Sequence, residues 1–328
     1  MNEQNEQTKL PLLFIVGPTA VGKTALSIEL AQKLNGEIIS GDSMQVYREM
    51  NIGTAKASLE ERALIPHHLI DIRDPQEPFT VSEFQQLATE IIGDIHARGK
   101  LPIVVGGTGL YVESLCYHFQ FGEGAPNEEV RAALMKRSEV EGNAVLYEEL
   151  QSVDPAAAAK IHMNDTRRIV RALEVWQTTG TRISESSVRK ESKYDALWIG
   201  LNMDRAKLYA RIEQRIDLMV KQGLIDEVKA LKEKGLEGNH VALQALGYKE
   251  IIQWLNGRLD YNGAIELLKK DTRHFAKRQL SWFRRMPEIT WFDTTDPNKF
   301  TEHFLEISDI IIGKFKQCAT YIKNTRGA

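Results

Sequence analysis

The chain is poor in cysteine. Cys116 and Cys318 are the only two in 328 residues, and they form no C-x-x-C pair. A disulfide framework and a zinc finger are therefore unsupported, and a reducing compartment is expected. Neither sign of charge dominates: 42 Lys and Arg face 45 Asp and Glu, a net of −3. Any surface that attracts nucleic acid must then be local. Long apolar runs are missing as well. The first, Leu10 to Val16, follows a polar segment and leads into a Gly-rich loop, so it reads as a buried strand and not a signal peptide. Nothing approaches the length of a membrane span. No repeat or low-complexity tract is present. His67-His68 lacks a further nearby ligand at metal spacing and reads as structural. These absences predict a cytoplasmic globular protein of one large or two smaller domains.

What is present centres on Gly17-Pro18-Thr19-Ala20-Val21-Gly22-Lys23-Thr24, a G-x-x-x-x-G-K-T phosphate loop of the kind found in nucleotide- and ATP-binding proteins. A strand precedes it, and Leu26, Leu30 and Leu34 follow at helical spacing. The glycines permit backbone angles and close approach that a Cβ forbids. Loop N–H groups at a helix N-terminus converge on an anion. Lys23 adds charge for the outer phosphates, and the Thr24 hydroxyl suits Mg²⁺. The motif specifies a di- or triphosphate without saying which.

Further strands are expected at Glu37–Ser40, His67–Asp71, Leu101–Val105, Ala196–Asn202 and Ile289–Phe292, with helices between them, the pattern of an α/β parallel sheet. Ligands of such sheets sit beyond the carboxyl ends of the strands. Asp42, after the second strand, therefore lies on the edge of the phosphate loop; a turn or cap aspartate is the alternative. Gly106-Gly107-Thr108-Gly109 closes another strand. It can bring backbone to a ligand, with Thr108 as hydrogen-bonding group, or simply make a tight turn. From Gly122–Pro126 to about Lys193 the chain turns helical and polar, carrying among others Arg131, Arg167, Arg168, Arg171, Arg189 and Lys190, and reads as an insertion. Asp204 is placed to cap a long helix on which Arg211 and Arg215 share a face; solvent exposure or a phosphate contact accounts for either. Lys269–Arg285 makes a basic helix with interleaved aromatics, suited to a solvated face or to RNA.

A motor-type ATPase carries an Asp at the end of a hydrophobic strand to support Mg²⁺. Leu101–Val105 instead ends in Gly106-Gly107-Thr108. Asp42 is the acidic strand end, with Asp71 a weaker candidate. This fits a small-molecule kinase or another diphosphate enzyme, in which a carboxylate opposite the diphosphate acts as base.

Six motifs occur in one order: the phosphate loop, Gly41-Asp42-Ser43-Met44-Gln45-Val46-Tyr47, Gly106 to Tyr111, Asn164 to Val175, Gln244-Ala245-Leu246-Gly247-Tyr248, and Lys277 to Arg284. Together they resemble the bacterial tRNA dimethylallyltransferase (tRNA isopentenyltransferase) family over nearly the whole chain. The resemblance implies Mg²⁺-dependent transfer of a dimethylallyl group from dimethylallyl diphosphate to N6 of the adenosine 3′ to the anticodon. It implies a P-loop kinase-like sheet flanked by helices (1–125 and 195–328), a helical insertion at 126–194 that grips the anticodon stem-loop, and a helical C-terminal region. Lys23, Thr24, Asp42 and Arg215 would be catalytic, with Thr24 on Mg²⁺ and residues 17–24 on diphosphate. The target base would leave its stack to reach them. RNA would be met by Asp42, Ser43, Met44, Gln45, Thr108, Arg131, Arg167, Arg168, Arg171, Gly247, Tyr248, Lys277, Arg278, Gln279, Trp282 and Arg284. The choice of Arg215 over Arg211 is a bet that spacing does not decide. A monomer is expected. The two cysteines do not supply the zinc finger that some eukaryotic members add. An adenylate prenyltransferase and a P-loop small-molecule kinase are the alternatives; the first needs neither the insertion nor the basic helix.

Overall fold

The structure is a computed structural model describing residues 9–119, 127–186, 191–236 and 240–316. The expected tail at 1–8, the texture change at 122–126, Arg189, Lys190 and Cys318 lie outside the described residues.

The chain begins β1 (Leu10–Val16), α1 (Lys23–Lys33), β2 (Gly36–Ser40), α2 (Leu59–Leu64), β3 (His67–His68), α3 (Val81–Ala97), β4 (Leu101–Gly106) and α4 (Gly109–Tyr117). Helices α5 (Glu128–Glu141), α6 (Asn143–Val153), α7 (Pro155–Ala158), α8 (Thr166–Thr179) and α9 (Ile183–Ser186) follow. The chain then runs β5 (Tyr194–Asn202), α10 (Arg205–Lys221), α11 (Leu224–Glu233), α12 (Tyr248–Leu255), α13 (Tyr261–Phe283), β6 (Ile289–Asp293) and α14 (Phe300–Lys314). Two compact units result: 1–116 with 192–328, and 117–191. The sequence had placed the insertion at 126–194.

In the first unit the strands form one sheet in the order β3-β2-β4-β1-β5-β6, every pairing parallel. The central strands are apolar on both faces because helices cover both. Leu12 to Val16 are wholly buried, and Phe14 stacks on Trp198 with ring centroids 3.8 Å apart. Such a ring pair adds about 1 kcal/mol beyond its buried area. Asp204 caps α10 as expected, its Oδ1 accepting from the N–H groups of Ala206 (2.9 Å) and Lys207 (3.1 Å).

One strand is shorter than expected. The sequence predicts extended chain over His67–Asp71, but β3 stops at His68. Leu69 (φ 61°) and Asp71 (φ 57°) turn into the left-handed region, which no strand accommodates. Asp71 is held there by Lys56 (2.6 Å) and Arg62 (2.7 Å). It is thereby removed from the phosphate site for which it was a weaker candidate. His68 Nε2 lies 2.7 Å from the buried carboxylate of Glu37, and His67 Nδ1 lies 2.8 Å from the Ile65 carbonyl.

The second unit is a helical cluster around Leu134, Leu146, Leu150, Ile169 and Leu173. Glu174 of α8 is fully buried in it. Its carboxylate accepts from Arg131 Nε and Nη2 (both 3.1 Å), the Asn127 N–H (2.9 Å) and Arg171 Nη1 (3.0 Å).

Candidate active site

The phosphate loop connects β1 to α1, and β1 is flanked by β4 and β5. Its ligand pocket therefore opens at the carboxyl edge of the sheet, among the chain segments that follow β1, β2 and β4. Two chambers share this edge. The first, about 500 Å³, is lined by Thr19 to Thr24, Gln45, Arg211 and Gln214, and by Glu61 and His67 farther out. The second, about 280 Å³, is lined by Ser43, Met44, Thr108, Arg278 and an apolar wall including Ile216 and Leu246. Thr19, Ala20, Asp42, Arg215, Thr54, Ala55 and Phe275 line both. Asp42 and Arg215 thus belong to the common wall of the two chambers.

The electrostatics fit a site waiting for an anion. Burial lowers the Lys23 pKa to about 8; Asp42 raises it and Arg215 lowers it further. Its ammonium donates to the carbonyls of Gly17 (3.0 Å) and Pro18 (2.7 Å), folded over the loop it serves. Arg215 is lowered by burial and by Arg211. Both cations regain stabilisation when a polyanion arrives. Burial raises the Asp42 pKa against the backbone N–H groups, Lys23 and Arg215 that favour its charge. A carboxyl so raised is tuned toward the range where a general base works. Asp42 Oδ1 accepts the Met44 N–H at 2.9 Å, and Thr108 Oγ1 accepts the Ser43 N–H at 3.1 Å. These two bonds fix the side of the second chamber.

Arg215 lines both chambers, while Arg211 is exposed and reaches the first alone. A divalent ion at this edge would find a hard oxygen donor in the Thr24 hydroxyl, which lines the first chamber. Among the described residues there is no group of three or more His, Cys, Asp or Glu able to hold a metal. A site with few protein oxygens, completed by phosphate and water, fits Mg²⁺ and does not fit a protein-caged metal.

Other expected residues are engaged within the protein. Gln279 is 5% exposed; its Oε1 accepts the Thr19 N–H (2.9 Å) and its Nε2 donates to the Gly107 carbonyl (3.0 Å). It ties the phosphate loop to the β4 loop. Trp282 Nε1 donates to Glu113 Oε2 at 3.0 Å, and Tyr248 is fully buried. The Gly106–Gly109 loop has glycines for the sake of its own neighbours. A Cβ at 106 would strike the Gly41 backbone, at 107 the Gln279 amide, and at 109 the Trp282 ring. Thr108 alone of that loop faces the second chamber. Lys277, Arg278 and Arg284 are exposed on or just after α13, as are Arg167 and Arg168 on α8. Arg131 and Arg171 are partly exposed around Glu174. Thr54 and Ala55, on both chamber walls, were not found from sequence because their loop carries no motif and no periodicity.

The fold and site define a P-loop α/β protein of kinase-like architecture, with a phosphate loop beside a half-buried acid. Comparison with known proteins narrows the class. A model of IPP transferases matches residues 45–286, and one of isopentenyl transferases matches 10–71. The tRNA dimethylallyltransferase of Geobacillus thermodenitrificans is 49% identical over 307 residues, 93% of this chain and 97% of that one. The crystal structure of the tRNA isopentenylpyrophosphate transferase of Bacillus halodurans is similar with TM-score 0.72 and 47% identity, covering 95% and 99% of the two chains. A eukaryotic dimethylallyltransferase acting on tRNA is similar with TM-score 0.77 and 33% identity, covering 93% and 80%. The chain belongs to the IPP transferase family.

Proposed function

We infer that this protein transfers the dimethylallyl group of dimethylallyl diphosphate to N6 of the adenosine 3′ to the anticodon of a tRNA and releases diphosphate. The observation that carries the reading is the pair of chambers with Asp42 and Arg215 in their common wall. The first chamber would take the diphosphate on the loop N–H groups, Lys23 and Arg215. The second would take the adenine, extruded from its loop, beside Thr108 and Asp42.

The N6 lone pair is delocalised into the ring, so N6 is a weak nucleophile until a base accepts its proton. Asp42 would take that proton as N6 bonds to the allylic C1. The C1–O bond breaks, and its electrons leave with the diphosphate. Lys23, Arg215 and the loop N–H groups would stabilise the charge developing there, the kind of contribution worth about 10²–10³ in rate per donor. Mg²⁺ held by Thr24 and the diphosphate oxygens would add Lewis-acid neutralisation of the same leaving group.

RNA phosphates would be met by Lys277, Arg278 and Arg284, and by Arg167 and Arg168 of the helical unit, with Arg131 and Arg171 oriented by Glu174. That unit, expected at 126–194, would grip the anticodon stem-loop. Gln279, Trp282 and Tyr248 would serve by shaping the site. A monomer is proposed, because the reaction as written uses no residue of a second copy. No helix among the described residues is long and apolar enough to cross a membrane, and a tRNA substrate supports action in the cytoplasm.

Labelled dimethylallyl diphosphate incubated with an anticodon stem-loop, AMP and the protein tests this. Label in the stem-loop is expected. Label in AMP would make the protein an adenylate prenyltransferase, and ATP consumption with a small acceptor would make it a kinase.

A further inference from the structure

Glu227 of α11 has no part in the chemistry above. Nevertheless four donors converge on its carboxylate. Oε2 accepts the N–H groups of Asn51 (2.9 Å) and Ile52 (2.8 Å). Oε1 accepts the Gly53 N–H (3.1 Å) and the Tyr248 hydroxyl (2.5 Å). Three successive amides make a concavity that suits an anion, and here the anion is the protein's own. Tyr248 completes the clasp: its ring occupies the space where a Cβ at Gly53 would sit.

The clasped loop leads directly into the wall between the chambers. Thr54 and Ala55 follow Gly53 and line both. Their carbonyls accept the Gln45 amide at 3.2 and 3.4 Å. Gln45 Oε1 in turn accepts the Ser40 hydroxyl (2.9 Å), and Ser40 Oγ accepts the Asp42 N–H (3.4 Å). A path of hydrogen bonds, joined by the backbone between Gly53 and Ala55, thus runs from Glu227 to the Asp42 backbone. Ala55 has φ 50°, a left-handed conformation that costs a non-glycine residue about 1–2 kcal/mol and persists only where surrounding contacts enforce it. Leu224 of the same helix and Gly247, beside Tyr248, line the second chamber.

We propose that Glu227 is a positioning residue for prenyl transfer: by clasping the amides of 51–53 and the Tyr248 hydroxyl it holds the Thr54–Ala55 wall, and through Gln45 the Asp42 segment, in reactive register. This rests on the functional reading above. Glu227 lines neither chamber, so its contribution is assigned to the chemical step and not to binding. A misplacement of about 1 Å at such a wall is enough to cost a hundredfold in rate.

Glu227→Gln tests it. The amide offers one acceptor oxygen and points an NH₂ at donors. The single-turnover rate with bound stem-loop is expected to fall at least tenfold, while affinities for dimethylallyl diphosphate and stem-loop stay within threefold of wild type. Hydrogen exchange at Asn51–Gly53 should accelerate while the phosphate-loop amides stay protected. Tyr248→Phe removes one donor of four and should lower the rate two- to fivefold at unchanged affinities; it keeps the question open to measurement if Glu227→Gln fails to fold. A wild-type rate in either variant overturns the proposal. So does a diphosphate affinity lost in proportion to the rate. Failure of the wild-type protein to label the stem-loop would instead defeat the functional reading.

Discussion

Each of the two units withdraws a carboxylate from water near arginine, Glu174 fully and Asp42 by half, and the two behave oppositely. In the helical unit Glu174 is desolvated, which raises its pKa, but hydrogen bonds from Arg131 and Asn127 and the charges of Arg171 and Arg131 outweigh this and hold it below the ordinary carboxylate value. In the sheet unit Asp42 is desolvated beside Lys23 and Arg215, yet its pKa is raised. Desolvation is the largest influence on both, and the difference lies in how far direct contacts with cations offset it. Arg131 and Arg171 touch Glu174 at 3.0–3.1 Å. Among the described residues, no cation lies within ion-pair distance of Asp42. A carboxylate that ties helices together is saturated by its partners; one that, on the function proposed above, would take a proton is kept near cations and out of their grasp.

The contrast breaks most severely at Asp42. Asp42→Asn keeps an oxygen for the Met44 N–H and removes the base, so the single-turnover rate should fall by about 10²–10⁴ with stem-loop affinity within threefold. A large loss of RNA binding with intact chemistry would assign Asp42 to recognition instead.

Glu174→Gln sharpens the other side. Charge alone predicts that losing an anion near arginines tightens RNA binding. If Glu174 orients Arg131 and Arg171, binding should instead weaken, by roughly tenfold. The helical unit should also lose on the order of 2 kcal/mol in denaturant unfolding, less than for a fully buried pair because both arginines are partly exposed. The pH dependence has a definite sign. The folded pKa of Glu174 is depressed, so its stabilisation is present above the ordinary value of 4.5 and is lost as pH falls through the lowered one.

Lys23 gives a titration of similar size in the sheet unit. Its pKa of about 8 means that the free enzyme loses this cation above that pH. Then kcat/KM for dimethylallyl diphosphate should drop roughly tenfold per pH unit beyond it, and diphosphate binding at pH 8.5 should take up protons, measurable by calorimetry in two buffers. A flat alkaline limb would mean that Lys23 stays charged without ligand.

The smallest effect is expected on the exposed face of α13. Lys277→Ala with Arg278→Ala should weaken stem-loop binding severalfold and flatten the salt slope by about 1.4, the value for two phosphate contacts on single-stranded RNA. An unchanged slope would leave that face to solvent.

The amino-acid sequence by itself determined the sheet unit's outline. The phosphate loop between an apolar strand and an apolar-striped helix, the carboxyl-edge position of Asp42, the cap at Asp204 and the helical character of the middle stretch are local patterns, and local sterics and burial enforce them. Tertiary structure alone decided how polar side chains are used. Gln279 and Trp282 read as RNA contacts in a basic helix; in the fold Gln279 bonds the phosphate loop at Thr19 and Trp282 bonds Glu113 of α4, across 260 and 169 residues of chain. Glu227 lies in none of the six motifs, and its partners Asn51–Gly53 arrive from 174 to 176 residues away. Periodicity reports which face of an element is buried, because burial repeats with the backbone. It carries no record of a polar group's partner, because one hydrogen bond between distant segments has no period.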